Sequence, residues 1–395
     1  MVDENASSHD ETASQDTSPA PRSRKWLLVA GLWAVCILWN VLPVSPQAVE
    51  RFYSRGLYRI IVGVVTPLTG AVPFSVMLVL LIAGPVVFLA LWVGNWIYRR
   101  RVLRLSHWRG IAWGGKWMLV IVPVLWLWFL LFWGVGYQRV PVEDRLSFDL
   151  AELSEDEVRQ VKEGLLAVIH ADQPQQPSDR DVERAVREIA VVMEALVTEW
   201  EGRAIRIPQR VKATPPGLLL MNGTSGICAP FTLEPHVDGG LPDTSFVAVA
   251  AHELGHIAGV CDEGETNLLS YVAGLRAADP YARYAIALKA YRSLAAQVSD
   301  NREQAVARLP EQARDDLQRA AEAAQRYRIE WLQTWSWRAY NRYLQSQGVR
   351  EGVRSYGRGA QLLVRAWRAG HLELPDPAPE PPQAEEVTAE LIQSQ

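Results

Sequence analysis

Three stretches of the chain are apolar over the length of a membrane-spanning helix. They extend roughly from Trp26 to Val44, from Val72 to Ile97 and from Trp117 to Tyr137. A helix needs about 20 residues to cross the hydrocarbon core of a bilayer. Met77–Val93 and Met118–Val135 carry no charged residue, which disfavours helices buried in a soluble core. The pattern predicts a membrane region with three transmembrane helices within residues 22–137.

The remaining sequence divides into two polar tails, one mixed segment and one soluble domain. Residues 1–21 and 375–395 are rich in acidic residues, with Ser and Thr in the first and Pro in the second, and we expect both to be disordered. Residues 46–70 are apolar but are interrupted by arginines, which is typical of a helix lying at the membrane interface. Residues 138–374 have the charge density and alternation of a soluble domain.

Basic residues predict the orientation of the membrane region. The loop between the second and third stretches contains no acidic residue and six basic ones, Arg99, Arg100, Arg101, Arg104, Arg109 and Lys116. Such a loop stays in the cytoplasm. We therefore expect a multi-pass protein of the bacterial inner membrane, with a cytoplasmic N-terminus and the soluble domain in the periplasm or outside the cell. The lipid bilayer is its first predicted partner. The net charge of −4 gives no indication of nucleic acid binding.

The strongest chemical signal is the motif His252-Glu253-Leu254-Gly255-His256. An apolar run precedes it, Asp243 or Thr244 could cap the start of a helix, and Gly259 follows where that helix could end. Side chains four residues apart share one helix face, so both imidazoles can bind one tetrahedral Zn²⁺. Glu253 could then act as the general base on a zinc-activated water.

A zinc site of this kind needs a third protein ligand, and three acidic residues follow the motif. Glu263 is the preferred candidate, Glu265 is close behind it, and Asp262 is the third. A glutamate followed four residues later by Asp or Asn resembles the arrangement in thermolysin-like zinc peptidases, which here selects Glu263 and Asn267. That resemblance implies that Asn267 orients a ligand histidine from outside the metal's own ligand shell.

The pattern in the rest of the domain predicts a mainly helical fold with a small sheet. Helical spacing is found in Ser178–Trp200 and Leu268–Leu294, the second broken or kinked at Pro280. Ala229–Val237 reads as one short strand, either an edge strand that holds substrate or a core strand. An aromatic run is expected to pack in a core or to face the membrane: Trp331, Trp335, Trp337, Tyr340 and Tyr343. Tyr356 and Arg358 are candidates for stabilising the oxyanion, although a structural role is the alternative.

Several stretches resemble the bacterial membrane family known as domain of unknown function 3810, which carries a zinc-peptidase motif. They include the region from Tyr58 to Ser75, Pro230-Phe-Thr-x-Glu234, the histidine motif through Gly259, Glu263-x-Glu-x-Asn-Leu-Leu-x-Tyr271 and Tyr343 through Arg358. The chain departs from the family at Thr266, Leu268 and the pair Cys228-Ala229, none of which is a candidate ligand. The resemblance implies a membrane protein with an α+β zincin-like peptidase domain.

The leading hypothesis is therefore a membrane-anchored zinc endopeptidase that hydrolyses extracytoplasmic or membrane proteins. Its partners would be peptide or protein substrates and the lipid bilayer. The alternative is a non-catalytic membrane scaffold or sensor with a structural or inactive zinc site. Intact Glu253 favours the enzyme, because a purely structural site needs no general base beside its ligands.

Overall fold

The computed structural model describes residues 22–41, 44–104, 106–296, 302–347 and 355–375. The predicted tail at 1–21 lies outside these ranges, and so does the predicted tail at 375–395 apart from residue 375. The α-helices are α1 Arg22–Val41, α2 Pro46–Ala48, α3 Tyr58–Gly70, α4 Val76–Arg101, α5 His107–Phe132, α6 Val142–Arg145, α7 Glu155–Asp172, α8 Val182–Glu201, α9 Asp243–Ile257, α10 Glu263–Leu275, α11 Pro280–Ala295, α12 Arg302–Ala307, α13 Glu311–Tyr327, α14 Glu330–Ser346 and α15 Ser355–Arg368. The strands are β1 Lys212–Thr214, β2 Gly226–Ala229 and β3 Glu234–Asp238. The predicted mainly helical domain with a small sheet is confirmed.

Two helices of the described chain, not three, are long and apolar enough to cross a membrane. They are α4 and α5, each of 26 residues. The prediction of a third membrane helix near the N-terminus is wrong by this measure, because the apolar part of α1 is only Trp26–Trp39. Four polar or basic residues, 22–25, begin the helix. The 14 residues of Trp26–Trp39 span about 21 Å, against roughly 30 Å of hydrocarbon.

The described chain forms two compact units. One contains α1 and Asn95–Leu127, within which the indole of Trp33 donates to the carbonyl oxygen of Leu119 at 2.9 Å. The other contains Val44–Gly94 and everything from Trp128 onward, so it holds the sheet and all helices from α6.

The core of the larger unit is built around α10. Every residue of this helix is buried, and α8, α9, α11 and α15 pack against it. α8 contributes one apolar stripe that includes Ala185, Ile189 and Met193, as its helical spacing predicts. The predicted break at Pro280 is also found, since α10 ends at Leu275 and α11 begins at Pro280. Proline suits this first position, where its missing N–H leaves no helical hydrogen bond unmade.

The sheet has the order β1-β3-β2, with β3 parallel to β1 and antiparallel to β2. The single strand predicted for Ala229–Val237 is wrong: β2 ends at Ala229, a turn follows, and β3 begins at Glu234. Leu233 occupies this turn with φ of +50°, a conformation that the apolar sequence does not reveal. Among the described strands, β3 is consequently central and β1 and β2 are the two edge strands.

Polar side chains of β3 hold the beginning of α4. The carboxylate of Glu234 accepts hydrogen bonds from the backbone N–H groups of Val76 (3.1 Å) and Met77 (2.8 Å). The side chain of His236, which is fully buried, lies 2.7 Å from the hydroxyl of Ser75. Since the first N–H groups of a helix have no partner within it, Glu234 satisfies two of them. The apolar helix is thereby fixed to the sheet.

Candidate metal centre

The histidine motif lies on α9, as the sequence predicts. The helix begins after Pro242 rather than with a side-chain cap from Asp243 or Thr244. The hydroxyl of Thr244 instead lies 3.1 Å from the carboxylate of Asp316 in a buried cluster. The helix ends where Gly259 takes φ of +91°, a conformation that costs glycine little. The chain then reverses into α10, which brings the acidic residues back toward the histidines.

Three side chains meet at the C-terminal half of α9. Oε2 of Glu263 lies 3.0 Å from Nε2 of His252 and 3.5 Å from Nε2 of His256. Among the described residues, the three supply one possible ligand atom each, and these atoms lie within 4.8 Å of one another. All three side chains are buried. Of the acidic candidates, Glu263 is the one that the structure brings to both imidazoles.

Hydrogen bonds at the far side of each ring fix its orientation. Nδ1 of His252 lies 2.9 Å from Oδ1 of Asn267, and Nδ1 of His256 lies 2.7 Å from the carbonyl oxygen of Val260. Both partners are acceptors, so each Nδ1 carries the proton in the neutral ring and each Nε2 offers its lone pair to the cluster. The contact predicted between Asn267 and a histidine is confirmed.

The cluster fits a tetrahedral zinc ion. Zinc binds histidine nitrogen and carboxylate oxygen at about 2.1 Å, which separates tetrahedral ligand atoms by roughly 3.4 Å. The two distances from Glu263 to the imidazole nitrogens bracket this value. Two neutral imidazoles and one carboxylate also form the ligand set of many catalytic zinc sites, in which a fourth position stays open.

Glu253 lies outside the ligand cluster and beside the edge strand. A methyl group placed on Gly226 of β2 would lie 2.6 Å from Oε1 of Glu253, so the strand's backbone passes directly against this carboxylate. The backbone of Cys228 also hydrogen-bonds to it. Burial raises the pKa of Glu253 to about 7, and the charge of His256 opposes this increase.

The pKa values of the three candidate ligands depend on their burial and on one another's charges. Burial lowers the pKa of His252 to about 4. Burial would also lower the pKa of His256, but the charge of Glu263 raises it to about 9. Burial would raise the pKa of Glu263, whereas the charge of His256 holds it well below its usual range. The ionised carboxylate of Glu263 and the protonated ring of His256 therefore stabilise each other.

The other predicted acidic ligands point elsewhere. The structure does not bring Glu265 to the cluster, because its carboxylate accepts from the backbone N–H of Val142 (3.0 Å) and from the guanidinium of Arg145 (2.7 Å). Asp262 is the N-cap of α10 and accepts from the backbone N–H of Glu265. The guanidinium of Arg358 pairs with this aspartate at 3.1 Å. These contacts stabilise the start of α10.

Arg358, one of the two predicted oxyanion donors, is bound away from the cluster. Arg358 is held in the ion pair with Asp262 and in another with Glu143 at 2.6 Å. The backbone of Tyr356 belongs to α15, but its side chain lies outside the described part of the structure. The three cysteines are free thiols.

Sequence reasoning missed four side chains that surround the site. The hydroxyl of Tyr340, on α14, donates to Oε1 of Glu263. The ring of Trp133 lies 5.2 Å from that of His256, centroid to centroid. The ammonium of Lys289, on α11, donates to the carbonyl oxygen of Ala248 at 3.2 Å, and burial lowers its pKa to about 8.

The fourth is Tyr58, whose hydroxyl donates to the carbonyl oxygens of His256 (3.3 Å) and Ile257 (3.2 Å). Each of these contacts joins residues distant in the chain, so no local pattern indicates it. The resemblance to a family that retains Tyr58 was the only available signal.

Comparison with known proteins gives one match. A family described as "Protein of unknown function (DUF3810)" matches residues 53–364, which include both apolar helices, the sheet and the whole cluster. No curated protein and no solved structure matches the chain. Because the matched region covers most of the sequence, this chain belongs to the DUF3810 family.

Proposed function

We propose that this protein is a zinc-dependent peptidase. The observation that carries the proposal is the separation of roles on α9: His252, His256 and Glu263 converge on one point, while Glu253 stays outside that point and faces the edge strand. A structural zinc site has a closed set of ligands and no need for a fifth ionisable group. The alternative, a non-catalytic scaffold or sensor, leaves the position of Glu253 unexplained.

When bound, zinc supplies a Lewis acid that polarises the scissile carbonyl and makes water more acidic. His252, His256 and Glu263 hold the ion, and Asn267 and the carbonyl of Val260 keep the imidazoles in the ligating orientation. Glu253 accepts a proton from the attacking water and transfers it to the leaving amine. The hydroxyl of Tyr340 restrains the carboxylate of Glu263.

The edge strand supports a polypeptide substrate. Among the described strands, β2 pairs only with β3, and it runs against Glu253. An extended peptide can bind such an edge through its backbone, largely independently of its side chains. This arrangement would place a scissile carbonyl beside Glu253 and the three side chains that would hold the ion.

We further propose that the domain lies outside the cytoplasm, with the basic loop after α4 on the inside. Contacts near the two domain-facing ends support a hairpin of α4 and α5: Glu234 caps the first residue of α4, and the hydroxyl of Tyr53, in the segment before α3, donates to the carbonyl oxygen of Leu131 near the end of α5. Both ends therefore emerge on the side of the domain. This topology is the same whether or not α1 also crosses the bilayer.

The substrate class follows from the neighbourhood of the site. The motif is more than a hundred residues after the last apolar helix in sequence, yet Trp133, which packs on His256, directly follows the last residue of α5. If α5 crosses the bilayer, the cluster lies close to the bilayer surface. We therefore favour substrates that are themselves bound to the membrane and are cleaved next to it.

A comparison of bacterial strains tests the proposal. Chromosomal Glu253→Gln and His252→Ala strains should accumulate the same uncleaved membrane or periplasmic proteins relative to the parent, measured as lost protein termini in the extracytoplasmic proteome. Purified Glu253→Gln protein should retain one zinc per chain, whereas His252→Ala protein should lose it. If all three strains give the same termini while the parent protein contains zinc, the non-catalytic alternative holds.

A further inference from the structure

A cleft of about 480 Å³ lies beside the segment Val49–Leu57, a turn of π-helix that leads into α3. Four arginines and one glutamate line it: Arg51, Arg55, Arg145, Arg203 and Glu50. Its residues are separate from the metal-binding cluster.

Ion pairs with carboxylates hold several arginines at and beneath the cleft. Glu50 pairs with Arg55 (2.8 Å) and Arg139 (2.7 Å). Glu201 pairs with three guanidinium groups, those of Arg59, Arg139 and Arg145. Arg145 also pairs with Glu265. Arg358 lies 4.0 Å from Glu265 and pairs with Glu143 and Asp262, so this network contains five arginines and five carboxylates.

Two more arginines at the cleft add charge that nothing balances. Among the described residues, Arg51 and Arg203 pair with no carboxylate: the guanidinium of Arg51 lies over the ring of Phe52 at 5.3 Å, and that of Arg203 donates to the carbonyl oxygen of Arg55 at 3.0 Å. Both side chains belong to exposed residues. The cleft therefore presents a net positive surface whose guanidinium groups are held in place, which suits a phosphate oxyanion.

An apolar stripe begins at the same place. Phe52, Leu57, Ile60, Val64 and Leu68 are each at least 44 % exposed, and the last three recur every fourth residue along α3. The opposite face of α3, which includes Tyr58, Val62 and Thr66, is buried against the domain. Exposed apolar side chains in such a row would be stabilised by lipid.

We propose that the cleft binds the phosphate headgroup of an anionic phospholipid, with the acyl chains against the stripe from Phe52 to Leu68. The charge selects an anionic lipid over a zwitterionic one, because the headgroup must neutralise Arg51 and Arg203. The apolar stripe selects a lipid over free phosphate, which has nothing to place there. The proposal is independent of the zinc site.

Native mass spectrometry of the full-length protein in a neutral detergent tests this proposal. The protein is given phosphatidylglycerol or phosphatidylcholine with identical acyl chains, and the bound fraction is measured for wild type and for the double variant Arg51→Gln/Arg203→Gln. A matched control, Arg314→Gln/Arg326→Gln on α13, removes the same charge from a different helix. Inorganic phosphate in large excess serves as the competitor.

We expect wild type and the control to retain phosphatidylglycerol over phosphatidylcholine, and the Arg51/Arg203 variant to lose retention roughly tenfold or more. Equal retention by the variant and wild type would overturn the proposal. Equal retention of the two lipids by wild type would also overturn it, even if the variant failed to fold. Displacement of phosphatidylglycerol by inorganic phosphate would assign the cleft to a free anion instead.

Discussion

The amide oxygen of Asn267 lies 2.9 Å from Nδ1 of His252. The two residues are on α10 and α9, and the contact is buried. This contact places the proton of the neutral ring on Nδ1. The lone pair on Nε2 is therefore free to bind a metal ion beside Glu263. Outer hydrogen bonds of this kind typically change metal affinity by 10- to 100-fold.

Asn267→Ala should therefore weaken zinc binding by about 10- to 100-fold while leaving the fold intact. Titration of metal-free protein with a competing chelator measures this change. Asn267→Asp is the matched variant, since it retains an oxygen acceptor and should retain most of the affinity. If Ala and Asp at this position bind zinc equally, the hydrogen bond does not position the histidine.

Glu263 and Glu265 should respond differently to truncation. Glu263→Ala removes a proposed ligand, so the zinc content of the purified protein should fall well below one per chain. Glu265→Ala should retain zinc but lower the free energy of unfolding by about 3 kcal/mol, because Arg145 loses a buried partner. Metal analysis and thermal melting separate the two effects. The reverse pattern would make Glu265 the ligand.

Stability should depend on pH through Glu50. Burial would raise the pKa of this carboxyl, but hydrogen bonds and charge from Arg139 lower it from 4.5 to about 2. Because the pKa of Glu50 is lower in the folded state than in the unfolded state, ionisation of this group stabilises the fold. The contribution is complete above about pH 4.5 and is lost as the pH falls toward 2. We expect a loss on the order of 2 kcal/mol, allowing for solvent near the pair.

Unfolding by denaturant across this pH range checks the prediction. In Glu50→Gln protein the pH dependence should be shallower and the stability at neutral pH lower. An unchanged slope would show that Glu50 does not titrate in this range.

The topology can be tested with fusions. Alkaline phosphatase, which is active only outside the cytoplasm, should be active when fused after Tyr137 and inactive when fused after Arg104. Green fluorescent protein at the same two positions should give the opposite result. Activity after Arg104 would place the basic loop outside and reverse the proposed orientation.

Features that depend on residue spacing within a single helix could be predicted from the local sequence. The spacing of His252 and His256, the glycine at 259 and the four-residue step from Glu263 to Asn267 are properties of α9, its C-terminus and α10, so the pattern predicts their geometry. The apolar lengths of α4 and α5 were predicted for the same reason.

Features that depend on contacts with distant parts of the chain, or on one backbone angle, could not be predicted in this way. Glu265 is the same residue type as Glu263 and lies two positions further along the sequence. Its carboxylate is bound instead by Arg145, which is 120 residues away. The turn at Leu233 interrupts an apparently continuous strand through one backbone angle. Tyr340 was grouped with its aromatic neighbours as a packing residue, because nothing near it in sequence indicates that α14 crosses to Glu263.

The cap that Glu234 provides for α4 has a consequence for biogenesis. Its carboxylate is synthesised 158 residues after the amide of Val76 that it binds. In the proposed topology, α4 enters the lipid during translation with its first turn uncapped, and it acquires its anchor only when β3 has been exported and has paired. A ribosome-stalled chain ending before residue 234 should accordingly leave the outer end of α4 accessible to solvent, which would couple the quality control of membrane insertion to completion of the exported sheet.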